Sequence, residues 1–94
     1  MPSHQQPPVT VAGAIRDRLA ALNPESVEIL DESGSHVGHP GAMGGGHYQL
    51  IIVAQAFAQQ PLQTRHRMVY AALGTLMQKE IHALAIKAYA PDEI

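Results

Sequence analysis

Imidazole is the chemistry this chain offers most clearly. Histidines stand at positions 4, 36, 39, 47, 66 and 82, and cysteine is absent. Neutral imidazole binds zinc, copper, iron and nickel, whereas softer iron-sulfur chemistry also calls for thiolate. Any soft-metal chemistry here must therefore use imidazole or a partner's sulfur. No nucleophile paired with a base, no carboxylate dyad and no phosphate-binding loop after a strand is visible, so an enzyme is not expected.

The histidines differ in setting. His36 and His39 lie in a glycine-rich stretch, where an imidazole is ordinarily just solvated. His47 opens a strand-like segment and is equally well explained as a residue bonding the adjoining loop. His82 stands at the start of another strand-like segment, a place more common for surface histidines than for ligands. His66 falls between Arg65 and Arg67 on a helical apolar stripe and reads as a packed, hydrogen-bonded side chain. Gly41-Ala42-Met43-Gly44 spells a GxxG nucleic-acid clamp, but that clamp joins helices and this stretch joins strands, so the match is accidental.

The elements around these residues follow from periodicity. Val11, Ile15, Leu19 and Leu22 fall at helical spacing, with Arg16, Asp17 and Arg18 on the wet side, and Asn23-Pro24 ends that helix. Val27 to Asp31 and Tyr48 to Val53 read as strands, the second apolar on both faces. Residues 32–46 hold six of the eight glycines, which makes a long loop rather than a tight turn. A second helix starts at Leu62, with Leu62, His66, Val69, Leu73, Leu76 and Met77 on its stripe and Gly74 a weak spot within it. A helical turn is expected near Phe57 to Pro61. Ile81 to Tyr89 gives a third strand, with His82, Leu84, Ile86 and Ala88 on one face, ended by Pro91. The order is αββαβ, an α+β fold. The 27–53 strand pair can be antiparallel and the 48–89 crossover returns parallel, giving a three-stranded mixed sheet covered by helices.

With 94 residues and a formal charge of −2, the chain is one small domain without a strong nonspecific phosphate-binding surface. Residues 1–8 read as a disordered tail, and residues 9–94 as the folded domain. No secretory signal, transit peptide or membrane-length apolar run is visible, so the expected location is cytoplasmic, with no membrane partner.

Asp31-Glu32-Ser33-Gly34-Ser35-His36, Gly46-His47-Tyr48, Arg65-His66-Arg67-Met68-Val69-Tyr70 and Ile81-His82-Ala83-Leu84 together resemble the BolA family. The likeness runs from about Ile15 to Glu93. It implies a fold similar to the class II KH domain and a non-catalytic partner of monothiol glutaredoxins. The two proteins would share a bridged 2Fe-2S cluster, with glutathione and a glutaredoxin cysteine supplying sulfur, for cluster trafficking or iron regulation. No cofactor is expected in the isolated protein. His82 matches the family's C-terminal ligand, and His36 matches the second, where members carry histidine or cysteine. His39 and His47 are the reserve candidates. The alternative role that the family implies is DNA-binding transcriptional regulation, with Arg65, Arg67 and Lys79 as contacts to nucleic acid or partner. The chain departs from the family pattern at Gln59, usually glycine, and at Pro61, usually serine.

Overall fold

The computed structural model describes residues 10–32 and 46–94. The first eight residues, His36, His39 and the GxxG stretch lie outside the described residues.

Thr10 opens helix α1 (Val11–Leu19): its hydroxyl accepts from the Gly13 N–H at 2.9 Å and so satisfies one orphan donor of the first turn. The helix tightens into a 3₁₀ turn over Ala20–Leu22, and Asn23 adopts a left-handed conformation at φ 53° ahead of Pro24. Asparagine is one of the few residues that tolerates this geometry, and proline cannot continue a helix. The chain then enters β1 (Ser26–Asp31), and β2 (Gly46–Val53) follows the loop. A 3₁₀ turn at Gln55–Phe57 leads to α2 (Leu62–Leu73), α3 (Leu76–Lys79) and β3 (Ile81–Tyr89). A final 3₁₀ turn spans Pro91–Glu93.

The sheet order is β1-β2-β3, with β1 antiparallel and β3 parallel to β2. This is the expected mixed sheet, and β3 has the expected limits. Tyr48, Leu50 and Ile52 of β2 pack against Ile15 and Leu19 of α1, Val69 and Leu73 of α2, Leu76 of α3 and the single phenylalanine, Phe57. The helices therefore cover one face only. On the other, Leu30 is 53% exposed, Ala83, Ala85 and Lys87 are exposed, and Ile51 is half-buried.

Two helix expectations need correction. Gly74 is a break between two helices: at φ 55°, ψ −126° it stops α2, in a region that side-chain-bearing residues avoid. Arg18 donates to the Leu73 carbonyl beside this break at 3.0 Å, tying α1 to α2. The stripe of α2 is also rotated in its first turn. Leu62 is 64% exposed and His66 only half-buried, while Arg65, Val69 and Leu73 point inward.

Candidate metal centre

The strand ends at the mouth of the sheet bring two of the four candidate imidazoles together. Gly46 pairs with Ile81, but His47 pairs with Ala83, so β3 carries one extra residue at His82. Such a bulge re-aims the side chain it inserts. Ile81 stays on the core side at 3% exposure, and His82 is exposed. This corrects the simple alternation that grouped His82 with Leu84, Ile86 and Ala88. Without the bulge His82 would compete with Ile81 for the core.

The His47 and His82 rings lie 5.1 Å apart between centroids and are tilted by 31°. Two imidazoles bound through ring nitrogens at ~2.0–2.1 Å to one tetrahedral ion have centroids roughly 5 Å apart. The centroid spacing therefore matches that of two nitrogen ligands on one metal, the donor set of the histidine-bound iron in a Rieske cluster. No group of three or more potential metal-binding side chains occurs among the described residues. Two imidazoles leave a four-coordinate ion half complete, so the remaining ligands must come from elsewhere. Close by, the Gln49 amide donates to the Glu32 carboxylate at 2.9 Å, and the Glu32 N–H donates to the His47 carbonyl at 2.8 Å. The second contact helps hold the β1 and β2 ends in register beside the ring pair.

Arg65, expected at a contact surface, is buried at 7% exposure. Its Nε donates to the Gln60 carbonyl at 2.8 Å, its Nη1 to the Ala88 carbonyl at 3.0 Å, and its fork grips the Glu93 carboxylate at 2.7 and 2.8 Å. The Ala90 N–H also donates to Glu93 at 2.9 Å. The paired guanidinium, seconded by that N–H, holds the Glu93 carboxyl far below its usual range, at about 2. These bonds take four of the guanidinium's five N–H donors, and its burial keeps it from serving as an open contact for phosphate or partner. Sequence reading missed this because a charged residue flanked by His66 and Arg67 reads as surface. The available signal was its spacing, four residues before Val69.

The sequence profile of the BolA-like protein family matches residues 19–93. The chain belongs to the BolA family. BolA-like protein 1 of Bos taurus is 45% identical over 83 residues, which is 86% of this chain and 59% of the bovine protein. The chain thus spans about three-fifths of the length of those relatives. The DNA-binding transcriptional regulator BolA of Escherichia coli is 32% identical over 84 residues, covering 84% of this chain and 78% of the relative. Among solved structures, BolA1 from Arabidopsis thaliana superposes with a TM-score of 0.76 at 30% identity, covering 90% of this chain and 96% of that one.

In this BolA domain, three of the six basic side chains donate to backbone carbonyls. Arg16 donates to Val27 at 2.8 Å, Arg18 to Leu73 and Arg65 to Ala88. Arg67, Lys79 and Lys87 remain exposed and make no ion pair or hydrogen bond among the described residues. They stand on three separate elements, α2, α3 and β3. No described helix is long and apolar enough to cross a membrane.

Proposed function

We propose that this BolA-family chain is a non-catalytic adaptor that shares a 2Fe-2S cluster with a monothiol glutaredoxin. The observation that carries the reading is the His47–His82 ring contact in a chain without cysteine. His82 and one further imidazole would hold one iron, and thiolates from the partner's cysteine and from glutathione would hold the other. The motif favours His36 for the second imidazole, and the ring contact favours His47. A mixed histidine and thiolate set raises a cluster's potential above that of all-thiolate clusters.

The test mixes the full chain with a cluster-loaded monothiol glutaredoxin and records native mass and visible circular dichroism. A heterodimer with one cluster is expected, and its spectrum should be lost in His82→Ala. Alanine at His36, His39 and His47 in turn then identifies the second ligand as the variant with the next largest loss. An unchanged spectrum in His82→Ala would sink the assignment.

The E. coli relative's name motivates a second reading, DNA-binding regulation. The burial of Arg65 and the formal charge of −2 weigh against it. Arg67, Lys79 and Lys87 would support ~3 phosphate contacts, so affinity should fall roughly 40-fold between about 50 and 200 mM salt, with slight sequence preference. Tight, sequence-specific binding by the isolated protein at physiological salt would place this reading first.

A further inference from the structure

We infer that a divalent transition metal drives this chain to pair with a second copy of itself through the helix-free face of the sheet, with His47 and His82 of both copies as the metal's four ligands. The inference does not rest on the cluster reading, although it uses the same imidazoles.

The ligand set comes first. Two imidazoles at 5.1 Å suit one tetrahedral ion but fill only half of it, and no group of three or more potential ligands occurs among the described residues. A second copy supplies the missing half only if a two-fold axis brings both pairs to one point.

The sheet face provides such an axis. Paired residues share a face, so Leu30, Gln49 and Ala85 form one level and Glu28, Ile51 and Lys87 the next, away from the helices. Leu30, Ile51 and Ala85 give this face apolar area beside Gln49, and opposite charges stand on its two sides at the same register step. Glu28 and Lys87 make no ion pair among the described residues. Lying on β1 and β3, they are separated by β2, two strand spacings or ~9–10 Å apart in backbone position, too far to pair within one copy.

Stack two copies on this face with the axis between them and parallel to β2. Each copy's β1 then lies over the other's β3, so Glu28 of each copy meets Lys87 of the other. The same axis leaves both His47–His82 pairs at the same end of the stack. Aligned sheets pack ~10 Å apart within about 30° of parallel, so imidazoles from both sides reach the midplane. Turning the second copy about an axis perpendicular to the strands would instead place β1 over β1 and send the histidine pairs to opposite ends. Charge pairing and ligand convergence therefore select the same arrangement.

Zinc and cobalt(II) are the probes, each added to the full chain without glutaredoxin, iron or glutathione. Sedimentation velocity and native mass spectrometry should show a dimer holding one metal per two chains. Cobalt should give the intense visible bands of a tetrahedral site. His47→Ala and His82→Ala should each abolish the dimer. Glu28→Lys and Lys87→Glu, both at exposed positions, should each weaken metal-dependent dimerisation roughly tenfold through like-charge contacts. The double exchange E28K/K87E should restore it. Melting curves confirm that each variant is folded.

A monomer at saturating metal, a dimer that persists in His82→Ala, or a double exchange no better than either single one would overturn the inference. None of these results touches the glutaredoxin complex, which is assayed separately.

Discussion

The two ends of β3 treat polar side chains in opposite ways. At its start the bulge turns His82 outward beside His47, with the two rings 5.1 Å apart. At its end Arg65 is drawn inward, and its N–H groups are divided among Gln60, Ala88 and Glu93. Both clusters hold residue types that bind ligands, yet His82 is exposed and Arg65 is buried. Exposure, more than residue type, distinguishes the two clusters.

Breaking the closed end should have the largest effect. Arg65→Met keeps the stem's packing but strips partners from the Ala88 and Gln60 carbonyls and from the Glu93 carboxylate, and the turn over Pro91–Glu93 loses its anchor. It should lower the melting temperature more than any substitution at the open end. Arg65→Lys should recover only part of the loss, since an ammonium cannot make the two-pronged carboxylate contact. Cluster uptake by the folded fraction should stay normal, because the site lies at the strand's other end. Thermal melts paired with circular dichroism titrations check both halves.

Next in size is a pH effect confined to the same end. Glu93 in the folded chain titrates at about 2, below its ordinary value of 4.5. A depressed carboxyl contributes stability above its unfolded value, and that contribution is lost as pH falls from about 4.5 through about 2. Wild type should therefore melt above Glu93→Gln at pH 6, and the gap should close towards pH 2. A gap independent of pH would mean that Glu93 acts through packing rather than charge.

These two ends also mark where the sequence was legible. Ile81 to Tyr89 was readable as a strand, and Val69 and Leu73 as core, because apolar periodicity reports burial directly. The role of Arg65 was not readable, because its anionic partner lies 28 residues further on and such a pairing leaves no local pattern. The bulge was equally hidden. Alternation assumes one residue per step, and only the simultaneous burial of Ile81 and pairing of His47 with Ala83 reveals the extra one. Gly74 could be read as weak, but its role as a helix terminator depends on a φ of 55° that sequence does not disclose. Of the four candidate imidazoles, His82 and His47 are in contact, while His36 and His39 lie outside the described residues.

A smaller gain tests how tightly the closed end is built. Gln59 holds φ at 63° just before Gln60, whose carbonyl accepts from Arg65. It is also where the family pattern has glycine. Left-handed backbone strains a residue with a Cβ, so Gln59→Gly should stabilise the fold by about 0.5–1 kcal/mol. Chemical denaturation at neutral pH measures this. A loss of stability would show that the glutamine side chain, rather than the turn geometry, matters there.

The smallest expected change in stability falls at the open end. His82 is exposed, and the bulge that displays it is held by Ile81 in the core and by the pairing on either side. His82→Ala removes a ring contact with His47 but no core packing, so stability should stay within about 0.5 kcal/mol of wild type. The same substitution should remove cluster binding. This uncoupling of fold from site is what the contrast between the two ends requires. If His82→Ala instead lowered stability as much as Arg65→Met, the imidazole pair would be a structural clasp like its counterpart, and the metal site would have to be sought elsewhere.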